Sequence, residues 1–242
     1  ETKKDFVAVY ICHGKDMGWA RQAFHDLNTL AGRPNSALSL SMDARDPIRS
    51  VCREVERKVP FFYNRVNKVR RQLRSSDTDV VTLTALRTAC VTLAQGINGL
   101  KWGTRPVPID EKDVIAIQAA AIDWFTAVTE AIGPAFEDRD SKLASAPAVL
   151  AAIGAVGSSL VRCGDDSVRR AEARKLAATL KPVDWSRSDI WAGIAGKLSP
   201  KGVLSVGGAK ENAYAVYSAL ADDVQPSYRK VRRIDLLQEK AA

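Results

Sequence analysis

Histidine and cysteine are scarce in this chain, and their spread removes several chemistries at once. There are two histidines, His13 and His25, and four cysteines, Cys12, Cys52, Cys90 and Cys163, with no paired metal-ligand spacing. A structural zinc site needs four such ligands at short intervals, so no metal is expected. No Ser-His-Asp set, no Cys-His pair and no Rossmann glycine fingerprint occurs. Nucleophilic catalysis and dinucleotide binding are left without their usual residues. No apolar run approaches the roughly 20 residues that span a bilayer. Glu1-Thr2-Lys3-Lys4-Asp5 leads into an apolar stretch too short for a signal peptide, so no membrane partner is expected. Isolated cysteines in apolar contexts read as reduced, buried thiols and a cytoplasmic home. Repeats and low-complexity tracts are also missing. One absence is local: no acidic residue lies between Lys58 and Ser76.

What is present is ordinary in bulk and uneven in charge. The 242 residues are 46% hydrophobic and 26% charged, enough for one large domain or two small ones. The net charge of +8, from 36 Lys+Arg against 28 Asp+Glu, favours an anionic partner, nucleic acid first among them.

Phe6 to Cys12 is a continuous β-rich apolar run and reads as a buried strand. Ala20, Phe24 and Leu27 recur at helical spacing, predicting a helix from about Asp16 to Thr29 that Gly32-Arg33-Pro34 breaks. Leu38 and Leu40 alternate with serines as a short extended segment. Asp46-Pro47 is a helix start, with Asp as N-cap and Pro in the first turn. Ile48, Val51, Val55 and Val59 share one face, and Pro60 ends the segment. Phe62, Val66, Val69 and Leu73 then form a second apolar stripe, predicting a helix studded with Arg65, Lys68, Arg70, Arg71 and Arg74. With no acid in that window, the charges are expected to be unpaired. The remainder reads as helices: Thr82 caps one closed near Gly99, and Asp110 caps a longer one stopped at Gly133-Pro134. Pro147 opens another that ends at Gly164, and Asp166–Leu180 is cut by Pro182. A glycine-spaced loop from Gly193 to Gly208 precedes a helix at Lys210–Leu220.

Five constellations bear on function. The helix Arg65–Arg74 could grip a phosphate backbone through bidentate guanidinium contacts, or could be a solvated face. His25 and Asp26, adjacent on a helix, point about 100° apart and form no dyad; Asn28 is the better ligand-facing group or helix cap. Asp43-Ala44-Arg45-Asp46 could bind a metal or nucleotide, or Asp43 and Arg45 could pair to fix the loop while Asp46 caps. Gly207-Gly208-Ala209-Lys210 lacks the Walker spacing and its Ser/Thr, though a glycine turn opening a helix leaves N–H groups for an anion. Asp184-Trp185 and Trp191 are most simply a clasp onto the helical core. A docking surface made of Trp185, Trp191, Tyr214 and Tyr217 is the alternative.

Phe24-His25-Asp26-Leu27-Asn28, Arg33-Pro34, Asp43-Ala44-Arg45-Asp46-Pro47, Thr82-Leu83-Thr84-Ala85-Leu86 and Asp184-Trp185-Ser186-Arg187-Ser188 with Trp191-Ala192-Gly193-Ile194 occur in an order that resembles the DndB family. These are the DGQHR-motif proteins associated with DNA phosphorothioate (sulfur) modification. Gly207-Gly208-Ala209-Lys210 with Tyr214 and Tyr217 is similar to the family's C-terminal part. The Asp-Gly-Gln-His-Arg signature itself does not occur; in the family it precedes the Phe-x-Asp-Leu-Asn segment, so the chain reads as a fragment beginning after it.

The resemblance implies an α+β, mostly α protein: a remnant of a ParB-like region over 1–60, then a multi-helix domain over 61–242. It implies a repressor of the modification genes that binds double-stranded DNA, with other sulfur-modification proteins and a second copy of itself as further partners. A ParB-like region also implies the enzymatic alternative, an ATPase using ATP with Mg²⁺. By that analogy Asp26, Asn28 and Arg33 would complete a nucleotide or phosphate pocket, to which Asp43 and Arg45 are added by their own chemistry. Arg65, Lys68, Arg70, Arg71 and Arg74 would carry the DNA contacts.

Overall fold

A computed structural model of the chain describes residues 13–31, 46–207, 210–221 and 230–233, with 28–31 as backbone alone. The expected strand at Phe6–Cys12, the extended segment around Leu38 and part of the region likened to ParB lie outside those residues. Within them the fold is α+β and mostly α, as the resemblance implies.

Helix α1 (Met17–Ala31) starts where the Asp16 carboxylate accepts the Trp19 N–H at 2.7 Å. Helix α2 (Pro47–Lys58) has the start read from Asp46-Pro47. The Asp46 carboxylate accepts from the Ile48 N–H at 3.3 Å, and Pro47 sits where a missing N–H costs nothing. Ile48, Val51 and Val55 are fully buried, and Val59, extended before Pro60, closes the helix.

The basic helix predicted next does not form. After one 3₁₀ turn at Pro60–Phe62 the chain reverses at Asn64, whose φ is +55°. It then enters the short strand β1 (Val66–Asn67), which pairs in parallel with β2 (Val81–Thr82). Asn67 supplies the reason. Its side-chain carbonyl accepts the N–H groups of Val69 at 3.0 Å and Arg70 at 2.7 Å, while its amide donates to Asp79 at 2.7 Å. A side chain that bonds its own backbone in this way competes with helix formation. Val69 is 62% exposed, so the apparent stripe has no core to face.

Helix α3 (Leu83–Gln95) is capped by the Thr82 hydroxyl, which accepts from the Ala85 N–H at 3.2 Å. Gly96, at φ +66°, ends it and leads into a 3₁₀ turn over Ile97–Trp102. Helix α4 (Glu111–Glu137) runs through the predicted stop. Ile132 leaves helical geometry at φ −136° and ψ 23°, and the chain bends around Gly133-Pro134 before continuing to Glu137. The expectation that no apolar run approaches bilayer-spanning length is corrected by α4, which is long and apolar enough to cross a membrane; in this fold one side of it packs into the core, with Trp124, Phe125 and Phe136 fully buried. Phe61, Phe62, Phe125 and Phe136 meet edge to face at centroid separations of 5.6 to 6.4 Å.

Helices α5 (Pro147–Val156) and α6 (Asp166–Ala178) follow, and α5 packs on α3. The two backbones approach at Gly154, where a Cβ would sit 2.2 Å from the Ala89 carbonyl oxygen. Beside it the Thr92 hydroxyl donates to the Ala151 carbonyl at 2.7 Å. The glycine-spaced stretch is a hairpin rather than a plain loop: β3 (Gly196–Leu198) pairs antiparallel with β4 (Leu204–Val206). Helix α7 (Lys210–Ala221) then returns to α5. One apolar core joins α2 to all of these, with Cys52 and Cys90 inside it. The Cys52 thiol beside it, together with burial, pushes the Cys90 thiol well above its ordinary range.

The tryptophan clasp is present. Trp185 and Trp191 stack at 6.2 Å, both inside the core. That burial corrects the docking-surface alternative, because neither indole faces outward. Tyr217 is half-buried against the same core, and Tyr214 stays exposed with its hydroxyl on Asn98.

Candidate nucleic-acid interface

The turns that replace the expected helix carry Arg71 and Arg74 to one rim of a cleft of about 340 Å³. Arg139, just beyond α4, and Arg187, from the Asp184-Trp185-Ser186-Arg187-Ser188 stretch, form the rest of the basic lining. Four arginines from three separate segments thus converge beside the N-terminal ends of α3 and α5, represented in the wall by Thr82 and Pro147. Asp140 also lines the cleft and accepts from the Ser75 hydroxyl at 3.2 Å.

The tryptophan segment sets Arg187 in place. Trp185 donates its indole N–H to the Leu180 carbonyl at 3.1 Å, and Trp191 donates to the Asp184 carbonyl at 2.6 Å. The Asp184 carboxylate accepts from the Ser186 hydroxyl at 2.6 Å, from the Ser186 N–H at 2.9 Å and from Arg233 at 2.7 Å. Burial pushes that carboxyl up; Arg233 and the two Ser186 donors outweigh it and bring it down to about 2. With the turn locked, the Leu143 N–H reaches the Trp185 carbonyl at 3.0 Å and the Arg187 N–H reaches the Ser141 carbonyl at 2.8 Å.

The guanidinium groups are then tied to backbone carbonyls. Arg187 Nε donates to the carbonyls of Arg139 and Lys142, at 3.1 and 3.0 Å. Arg139 Nη2 donates to the carbonyls of Arg74, at 3.1 Å, and Asp77. Carbonyl acceptors orient an arginine without neutralising it. Among the described residues Arg74, Arg139 and Arg187 form no ion pair, so this wall, which also holds Asp140, keeps a net positive charge. A guanidinium with donors to spare is suited to phosphate oxygens.

The other predicted contacts stand differently. Arg65 lies 3.2 Å from Glu137 and over the Phe61 ring at 4.7 Å, Lys68 lies 2.8 Å from Glu56, and Arg70 lies 3.4 Å from Asp77. The expectation that no acid pairs these charges is therefore corrected. The partners come from outside the acid-free window: Glu56 from α2, Asp77 from the following turn and Glu137 from the end of α4. Arg71 and Arg74, both exposed, remain on the cleft rim. Of the other proposed pocket, Asp26 is exposed on α1 and accepts from the Gln22 amide at 3.0 Å. The side chain of Asn28, and Arg33, Asp43 and Arg45 altogether, lie outside the described residues. Asp46 caps α2 as predicted and also pairs with Arg87 at 2.5 Å, a partner that the sequence does not signal.

Arg139 is not legible in the sequence, because it stands between Asp138 and Asp140 and looks neutralised there. Arg187 has a signal: it lies inside a segment that carries the family likeness, though the residues there read as a frame for the core. No curated protein and no solved structure matches the chain. The family model for DndB, described as DNA-sulfur modification-associated, matches residues 1–222, a span that contains the cleft arginines and the tryptophan segment that holds one of them. The chain belongs to the DndB family of DNA-sulfur modification-associated proteins.

Proposed function

We propose that this protein is a cytoplasmic DNA-binding regulator, a repressor, of a bacterial DNA phosphorothioate modification system, and that its arginine cleft engages the DNA backbone. The observation that carries the reading is the convergence of Arg71, Arg74, Arg139 and Arg187 on one cleft, the last three of them without an ion pair among the described residues. Membership of a family tied to DNA modification supplies the partner class. Such contacts position a protein on duplex DNA and contribute affinity through counterion release, while sequence choice needs base contacts elsewhere. The enzymatic alternative, ATP hydrolysis with Mg²⁺ in a ParB-like pocket, rests on residues of which only Asp26 has a described side chain, and no observation favours it.

The test is a fluorescence-anisotropy titration of a labelled duplex, repeated over a range of salt. Arg71→Glu/Arg74→Glu is expected to weaken binding at least about tenfold. It should also flatten the slope of log K against log salt by about 2, one for each phosphate no longer neutralised. An unchanged slope in a variant that keeps the parent's thermal stability would remove the cleft from the DNA interface.

A further inference from the structure

The arginine cleft does not end at its arginines. It borders a second chamber of about 310 Å³, with Arg71, Thr82, Ala85 and Pro147 in the walls of both. This chamber has a different character. Its floor is the small apolar cluster of Leu100, Ala148, Ala151 and Ala213, contributed by the 3₁₀ turn after α3, by α5 and by α7. Several polar groups interrupt it. Lys210 stands at the start of α7, Thr88 and Thr104 lie in the wall, and the Thr84 hydroxyl oxygen, closed off from solvent, has no hydrogen-bond partner among the described residues. A buried hydroxyl without a partner is unfavourable, and a rotation of the side chain toward a ligand in the chamber would relieve that cost. At the junction of the chambers α5 begins with Pro147 after Ala146, and no side chain caps it. Its first N–H groups add a positive end to the arginines.

A cationic mouth beside a largely apolar chamber, with an unsatisfied hydroxyl in its wall, matches a particular ligand chemistry. A phosphate would occupy the mouth, and a planar, heteroatom-bearing ring would fill the chamber and use the hydroxyl. We propose that the two chambers form a single site for a nucleoside monophosphate unit, with its phosphate against Arg74, Arg139 and Arg187 and its base between α3, α5 and the turn at Leu100. The proposal rests on the reading that this mouth binds phosphate, and it stands apart from the regulatory role and from the pocket expected around Asp26. A base can enter only when it is out of a duplex stack, so the unit comes either from a free nucleotide or from a strand end or extruded nucleotide of DNA.

The experiment is calorimetric titration of the full chain with dAMP, with inorganic phosphate, with a 5′-phosphorylated single-stranded dodecamer and with a blunt duplex. Three proteins are compared: the parent, Arg74→Ala, and Thr84→Leu, which adds bulk to the chamber and removes the hydroxyl. Thermal unfolding of each accompanies the titrations. The parent should bind dAMP at least about tenfold more tightly than phosphate, the margin a buried base adds to a charged anchor. Arg74→Ala should weaken both. Thr84→Leu should bring dAMP down to the level of phosphate and leave phosphate and duplex binding as they were. Tighter binding of the phosphorylated strand than of dAMP identifies a strand end as the source, and the reverse identifies a free nucleotide. The proposal is overturned if dAMP binds no better than phosphate, or if Thr84→Leu with parental stability keeps the advantage of dAMP. Loss of duplex binding alone, with dAMP binding intact, would sink the regulatory reading and leave the nucleotide site standing.

Discussion

Replacing Arg87 by methionine should be among the most damaging single changes outside the aromatic core. Arg87 lies on α3 with its side chain 3% exposed, facing an Asp46 carboxylate that is 2% exposed, at 2.5 Å. The same guanidinium donates to the Gly103 carbonyl at 2.6 Å and the Arg105 carbonyl at 2.7 Å, so one side chain joins α2, α3 and the loop before α4. Arg87→Met keeps most of the volume but leaves a buried carboxylate without its counter-charge and two carbonyls without a donor. Breaking a buried pair from one side costs about 3–5 kcal/mol. Asp46→Asn preserves the α2 cap, because Asn caps as well as Asp, and strands the guanidinium at a similar cost. Against a total stability of about 5–15 kcal/mol, either change removes a large share. The double variant should cost much less than the sum, by about 2–3 kcal/mol, because neither charge is left behind. Urea unfolding at constant slope measures all three, with single-variant midpoints displaced by about 1–2 M. Single losses under about 1 kcal/mol, or additivity within about 0.5 kcal/mol, would show that the pair is solvated and that the reasoning fails.

Three further outcomes follow from the geometry. Arg70 is already committed to Asp77 at 3.4 Å, so Arg70→Ala should lower duplex affinity less than Arg74→Ala in the same anisotropy assay; the opposite ranking would count against the cleft. Gly154→Ala drives a Cβ to within 2.2 Å of the Ala89 carbonyl oxygen and should destabilise by about 1–3 kcal/mol in urea unfolding, whereas a neutral result would mean that α3 and α5 separate freely. The Asp184 carboxyl lies near 2 in the folded protein against an ordinary 3.8, so its contribution is complete above about pH 4 and is lost as pH falls toward 2. Asp184→Asn should therefore cost about 1 kcal/mol near neutrality, after allowance for solvent screening, and should flatten the acid limb of the stability profile; parallel limbs would refute the assignment.

Much of the helical frame is legible in the sequence because local chemistry and tertiary packing agree there. Asp46-Pro47, Thr82 and Pro147 mark starts that the structure uses, and Ile48, Val51 and Val55 bury the face their spacing defines. Legibility fails where two signals disagree. From Phe62 to Leu73 an apolar period of helical type overlies Asn64, at φ +55°, and Asn67, whose side chain captures two backbone N–H groups. Periodicity speaks to what a helix would bury if it formed; Asx chemistry decides whether it forms. Pro134 shows the converse. Its ring ends an isolated helix, but here the buried Phe136 beyond it holds the last turn to the core, and a bend at Ile132 is the result.

The cleft is half legible for a deeper reason. Charge density along the chain identifies Arg71 and Arg74, yet a site's field depends on which carboxylates the fold brings near, and that information is not local. Glu56, Asp77 and Glu137 reach into the basic window and neutralise the residues that look freest in the sequence. Arg139 sits between two aspartates in sequence, but Asp138 turns to the Ser141 hydroxyl and Asp140 to Ser75, leaving the arginine to the carbonyls of Arg74 and Asp77. Arg187 lies on the stretch between two tryptophans whose indole N–H groups both end on backbone carbonyls. The tryptophan clasp and the arginine cleft are therefore one construction: the stacked pair fixes the turn, the turn aims Arg187, and Arg187 braces the carbonyl of Arg139. A truncation of Trp185 or Trp191 should then weaken DNA binding indirectly, by loosening the turn that positions Arg187 and, through it, Arg139.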